Sequence, residues 1–396
     1  MIQLEKYDKK IQELAGNILA IHRTDAERTF EFCSQLIDCA GKTKDPALLG
    51  FANFYISESS YFSNNLDRFF EYASKALTYL DQADDWELTA SCYNLFGIWA
   101  MNKGNAPLAQ DYYFNALKYC RKYHLVDVWV KVSVNLGVLN NVCGRFEDSC
   151  VYLEEALSYL NLNCKDTPNY HNFVIAVYEN LGTCFTMLKR YDDVEKVISE
   201  IHEVHWSHIA LEDRLLSLCM EAIYYNRIQN HSKRDECINS IQKSLLDNTV
   251  TIMDMFEDYC LYALMLIDAD KDEEFWHLIN TMERLVNSCS LVRMKLSLED
   301  LKLRYYQKHA LTHEYMEHSA LYYTLSRQLD DDTRNMMSDA LNLRKKLEEA
   351  KIEKIKMETQ NRMLLLRSET DPLTGLYNRF RLDSYSDKLF ADCYAS

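Results

Sequence analysis

The chain has 396 residues, of which only 9 are glycine and 4 are proline. That is roughly 2% and 1% against usual values of ~7% and ~5%, so the turn residues that sandwiches, barrels and dinucleotide-binding sheets need are missing. The apolar fraction of 48% excludes global disorder, and the net charge of −16 argues against a phosphate backbone as the main partner. What remains is helix joined by short turns. Met1 to Arg23 carries Glu5, Lys6, Asp8, Lys9, Lys10 and Glu13, so it has no apolar leader core. No stretch approaches the ~18 uncharged apolar residues of a membrane span. Thirteen cysteines are scattered without a C-x-x-C pair. Many, such as Cys92, Cys184 and Cys219, fall at helix-period apolar positions, the pattern of buried free thiols in a reducing cytosol. A cytoplasmic protein with no membrane or nucleic-acid partner is expected.

Residues 1–47 read as a pair of capping helices, broken at Lys44-Asp45-Pro46. Over 48–328 the chain repeats with a period near 40. The frame is set by Asn94-Leu95-Phe96-Gly97, Val134-Asn135-Leu136-Gly137 and Glu179-Asn180-Leu181-Gly182, with glycines 40 and 45 residues apart. Twelve residues after each glycine come Ala109, Ser149 and Val194; nineteen after come Ala116, Ala156 and Ile201. Tyr113, Leu153 and Ile198 fill the place between. Weaker copies surround Ser57, Ala222 and Ala263, and Leu303 starts a seventh unit, giving about six to seven repeats. Turn signals fall at Lys103-Gly104-Asn105, Cys143-Gly144-Arg145 and Lys189-Arg190-Tyr191. A small residue on the first helix admits the second at close range. Gly97, Gly137 and Gly182, with Ala109, Ala116 and Ala156, are therefore the expected packing positions. A helix pair of this kind cannot bury its apolar face alone, so neighbours stack.

This order of small and large residues resembles the tetratricopeptide repeat. The period is longer than the usual 34 residues, which predicts longer helices or loops, and the signature Trp and Pro are mostly missing. The resemblance implies a concave groove for a peptide or protein segment. The repeat region carries nearly all of the −16. A basic or neutral ligand is one reading of that charge; a plainly solvated acidic surface is the other.

Three histidines, His202, His205 and His208, are spaced by three around Trp206, but no Cys or carboxylate completes an obvious zinc set. His309, His313 and His318 flank Glu314 and Glu317 without the H-E-x-x-H spacing. No metal site is expected. Tyrosine is abundant at 27, with pairs at Tyr112-Tyr113, Tyr224-Tyr225, Tyr305-Tyr306 and Tyr322-Tyr323. One of each pair is expected to pack between helices and the other to lie at the surface.

From Leu329 the period changes to seven. Leu329, Met336, Leu343, Ala350, Met357 and Leu364 form one row, and Thr333, Ala340, Leu347, Lys354, Asn361 and Ser368 its companion. No glycine or proline interrupts Leu329 to Thr370. The heptads predict a parallel two-stranded coiled coil over 329–370, hence a homodimer. A competing frame runs through Ile352 and Ile355, and a single charged helix lying on the repeats is the alternative.

Pro372 ends the helix near Thr370. The string that follows is Asp371-Pro372-Leu373-Thr374-Gly375-Leu376-Tyr377-Asn378-Arg379. It resembles the D-x-L-T-G-L-x-N-R opening of GGDEF domains, the diguanylate cyclases of bacteria, and a charged coiled coil before it is that family's usual arrangement. A second basic residue usually follows; here Phe380 stands there, with Arg381 next. The resemblance covers 371–396 and implies that Asp371 and Thr374 hold a wide turn, that Leu373 lies near the nucleotide pocket, and that Asn378 and Arg379 begin the first helix. It also implies, for a complete parent enzyme, condensation of two GTP into cyclic di-GMP with Mg²⁺. No G-G-D-E-F string occurs in the chain, so it holds no catalytic residue, binds no cofactor of its own and is expected to be inactive. The resulting expectation is an all-α tetratricopeptide-like solenoid, a coiled-coil signalling helix and the first helix of an incomplete α/β GGDEF domain: the sensory region of a cyclase. The alternative is a non-catalytic scaffold or peptide-responsive regulator.

Overall fold

The structure, a computed structural model, describes residues 4–43, 45–63, 65–163, 170–203, 211–247, 255–287, 291–371, 373–374, 376–379 and 381–382. The described residues are almost entirely helical. The helices are α1 (Lys9–Ile21), α2 (Ala26–Thr43), α3 (Pro46–Phe62), α4 (Leu66–Gln82), α5 (Trp86–Asn102), α6 (Ala106–Tyr123), α7 (Val126–Val142) and α8 (Phe146–Asn163). They continue with α9 (Tyr170–Met187), α10 (Tyr191–Glu203), α11 (Leu211–Arg227), α12 (His231–Asp247), α13 (Phe256–Asp268), α14 (Asp272–Val286), α15 (Val292–Lys308) and α16 (Thr312–Glu369). The chain divides into two compact units, Met1–Met337 and Ser338–Ser396. The repeat fold is tetratricopeptide-like and all-α. Helix α16 runs without a break through 328–329, where the sequence changes period.

Starts and stops follow local chemistry. Asp8, Asp85 and Asn105 each accept a hydrogen bond from the backbone N–H three residues on, and Asp45 accepts from Ala47 and Leu48. Such caps satisfy donors that a helix start leaves orphaned. The turn inside each later pair is one motif repeated. Gly104, Gly144, Lys189, Gln229, Asp270 and Ala310 all have φ between 54° and 83°. The next residue's N–H reaches back across the turn: Asn105 to Ala100, Arg145 to Asn140, Arg190 to Phe185, Asn230 to Tyr225, Lys271 to Leu266 and Leu311 to Tyr306, at 2.8–3.0 Å. This is the left-handed helix stop that glycine fits best. The period of about 40 arises because α5 to α8 have 17 or 18 residues each, not because loops lengthen.

Successive odd helices from α3 to α15 pack on one another, while the even helices pack on their flanks. The odd helices therefore form the inner layer. A Cβ at Gly97 would fall inside the Tyr113 ring of α6, and one at Gly137 would lie 2.6 Å from Leu153 of α8. At Gly182 the nearest group is Met220 of α11, so this glycine admits the next repeat and not its own α10. Ala109, Ala116 and Ala156 are fully buried. The Ser149 hydroxyl donates to the Gly137 carbonyl at 2.7 Å, joining α8 to α7. The tyrosine pairs differ from expectation. Both members are buried at Tyr112-Tyr113, Tyr224-Tyr225 and Tyr305-Tyr306. Layered helices offer two burying neighbours: Tyr305 stacks on Phe275 while Tyr306 meets Trp276 and His318. Tyr322-Tyr323 alone follows the expected split, with Tyr323 exposed.

The array curls until its far end meets an early repeat. The Arg293 Nε of α15 donates to the Asn102 carbonyl at 3.2 Å. A Cβ at Gly104 would lie 3.3 Å from both Arg293 and Leu329. Two substitutions test the packing. Replacing Ala310 with Gly removes a left-handed strain of ~1–2 kcal/mol at some entropic cost, so Ala310→Gly should raise stability by about 0.5–1 kcal/mol. Gly97→Val should lower it by about 1–3 kcal/mol or more, because the Tyr113 ring has nowhere to go. Urea denaturation midpoints measure both.

Candidate functional site

Two of the repeat asparagines sit two residues before a glycine, at Asn135 and Asn180. At about 100° per residue, that places them across the helix from the glycine, where each meets the preceding odd-numbered helix. The Asn135 amide donates to Asn94 Oδ1 at 2.9 Å, linking α7 to α5. The Asn141 amide donates to the Asn180 carbonyl and Oδ1, both at 3.4 Å, linking α7 to α9. The Cys184 thiol donates to Asn141 Oδ1 at 2.8 Å and sets that amide's orientation. Asn141 and Asn180 line a cavity of about 500 Å³ inside the curled array. Its other walls come from α13, α15 and the first part of α16, with Leu261, Leu264, Leu296, Leu301 and Tyr322 supplying apolar surface. Planar amides that donate and accept, set in an apolar trough, match the needs of an extended backbone.

Its electrostatics are asymmetric. Glu257 pairs with Arg293, and Asp300 pairs with Arg304 at 2.7 Å. Asp258 also lines the cavity, and no cation among the described residues pairs with it. Burial, with Glu257 alongside, pushes its carboxyl up to about 7. Behind it Glu179 is buried and accepts from the Ser217 hydroxyl of α11 at 2.6 Å. Burial lifts Glu179 well above the usual carboxylate range, and Asp213 and Asp258 add to the effect.

The other sequence candidates are dispersed. His202 bonds Glu221 at 2.8 Å beside a separate cavity between α10, α11 and α12. His205, Trp206 and His208 lie outside the described residues. His309 faces Asp272 at 3.4 Å, His318 bonds Glu299 at 2.5 Å, and His313 is exposed. Among the described residues no three His, Cys, Asp or Glu side chains converge as a metal site would require.

The seam residues divide along α16. Met336 and Leu343 are buried, and Leu329, Ala340, Leu347 and Ala350 are half-buried. Met357 and Leu364 are exposed, together with Ile352, Ile355, Met363, Leu365 and Leu366, all at 51–61%. Past the helix the chain makes a compact turn. Asp371 Oδ1 accepts from the Leu373 and Thr374 N–H groups and from the Thr374 hydroxyl, at 2.9–3.1 Å. These donors hold its carboxyl below the usual range. Thr370 and Tyr377 form an antiparallel bridge, and Asn378 ties back to Glu369 and Ser368 at 2.8 and 2.6 Å. The Asn378 side chain also accepts from the Arg381 N–H. Leu373 and Leu376 point to solvent, at 95% and 70% exposed; Arg379 follows, and Gly375 lies outside the described residues.

A carboxyl lifted by folding holds its proton in the native state and releases it in the unfolded one. Asp258 thus contributes stability below its unfolded value near 4 that is lost as pH rises through about 7. The melting temperature should fall between about pH 4 and 7 and level off above, and Asp258→Asn should flatten that fall, as thermal scans across the range would show.

No protein-family model matches the chain, and no curated protein does. Among solved structures it is similar to a Rap protein complexed with Competence and Sporulation Factor, at 13% identity and a TM-score of 0.54, over 83% of this chain and 90% of that one. It is also similar to BtubC (BKLC) from P. vanneervenii, at 18% identity and a TM-score of 0.47, over 58% of this chain and 95% of that one. The Rap likeness shows a shared fold: a tetratricopeptide-like helical repeat.

Proposed function

We propose that the repeats bind a peptide or an extended protein segment in the inner groove. The observation that carries this reading is the cavity of about 500 Å³ in which the Asn141 and Asn180 amides face leucine-rich walls. The solved Rap structure holds a factor as its partner, which agrees with this use of the fold. The reading belongs to a regulator whose output follows ligand binding. A set of synthetic peptides arrayed on a surface and probed with labelled chain tests it. Asn180→Ala should weaken the captured peptides about tenfold, one well-made hydrogen bond's worth, with helicity unchanged. Binding that ignores both Asn141→Ala and Asn180→Ala would remove the groove as the site.

The exposed apolar row from Ile352 to Leu366 supports a second element, self-association through the end of α16. Paired α16 helices would bury that row in a parallel coiled coil. Sedimentation should give a dimer, and the double variant Ile355→Glu, Leu364→Glu a monomer.

One observation favours a more specific output. Asp371 and Thr374, the two residues to which the GGDEF resemblance gives a turn, are hydrogen-bonded to each other directly after a charged helix. In that reading the groove is the sensory end of a diguanylate cyclase, and Mg²⁺ and GTP belong to the catalytic domain of the parent protein. The reading without catalytic output, a peptide-responsive regulator, has the stronger support from the fold comparison.

A further inference from the structure

We infer that the groove selects a segment carrying a cationic side chain, whose charged head seats against Asp258 while its aliphatic stem lies along Leu261, Leu264 and Leu301. The inference rests on the groove being the binding site and adds the chemistry of what enters it. Charge complementarity carries it. Of the three carboxylates lining the cavity, Glu257 is taken by Arg293 and Asp300 by Arg304. Asp258 is the lining carboxyl with no cation among the described residues. The groups facing it supply no positive charge: Glu257 on α13 and Glu179 on α9 are acidic, and the Cys260 thiol of α13 and Cys219 thiol of α11 are held neutral by burial, while Asp213 of α11 acts on Glu179. Arg293 and Arg304 on α15 are held by their own partners. An arginine or lysine from a ligand supplies the missing charge, and its methylenes suit the leucine walls.

Proton linkage gives this docking a signature. The free carboxyl is protonated up to about 7, so below that point an incoming cation must displace a proton. Binding of a cationic segment therefore strengthens as pH rises through about 7 and levels off above it. An uncharged segment lacks this dependence.

Two fluorescein-labelled octapeptide pools, randomised over uncharged residues, differ only at one central position, fixed as Arg in one and Gln in the other. Fluorescence anisotropy compares them on the full chain at about pH 5.5 and about pH 8.5. The expected result is at least about tenfold tighter binding of the Arg pool at the higher pH, with the advantage shrinking at the lower. Asp258→Asn should erase both the advantage and its pH dependence, while Asp258→Glu should retain them; circular dichroism confirms that both variants fold. Equal binding of the two pools, or an Arg preference that survives in Asp258→Asn, overturns the inference and leaves the groove reading standing. Failure of both pools to bind overturns the groove reading and this inference with it.

Discussion

A pair of helices in this chain cannot cover its own apolar faces, and the rest of the structure follows from that deficit. Each inner helix must meet the next, so the repeats stack. Small residues set how closely they do so: at Gly97 and Gly137 the backbone of one helix lies against the ring or leucine of its mate. A serine hydroxyl on the Gly137 carbonyl ties the same contact with a directional bond. Because the inner layer is a row of touching helices, the array curves, and the curvature brings Arg293 onto the Asn102 carbonyl. The left-handed residue at Gly104 matters twice there, as a helix stop and as a place where α15 and α16 approach bare backbone.

The groove is a consequence of that closure. Its walls come from helices far apart in the chain, and its two kinds of surface have separate origins. Asn180 lies across its helix from Gly182, whereas Asn141 follows Gly137 by one turn, and the bond between their side chains brings the two amides together at the cavity. The carboxylates come from α13 and α15, where two arginines neutralise Glu257 and Asp300 and leave Asp258. A buried carboxyl with no cation beside it costs stability.

The long helix carries the same logic to its end. Heptad spacing identifies which residues share a face but not which of them are already covered. Met336 and Leu343 are buried while Met357 and Leu364 are open, and exposed apolar residues gather from Ile352 onward. There the competing frame through Ile352 and Ile355 overlaps the first. The turn after Glu369 is local by contrast: one aspartate oxygen gathers three donors within four residues.

What the amino-acid sequence by itself determined is the fold class. Scarce glycine and proline, a period near 40 and glycines at matching places lead to a helical repeat, because those signals are local or recur at fixed spacing. The turn at Asp371 was expected from the GGDEF resemblance of the string that begins there, not from period or composition. Only the tertiary structure decided the groove. Asn135 and Asn180 stood in the repeat strings, yet what they meet depends on which helices form the inner layer. Asp258 carried no signal at all, since an aspartate near a helix start is ordinary until its neighbours are known. The tyrosine pairs show the same limit: period alone assigns one of two adjacent rings to the surface, whereas layered helices bury both. Burial and charge pairing are sums over residues distant in the chain, and those sums exist only once the repeats have closed on themselves.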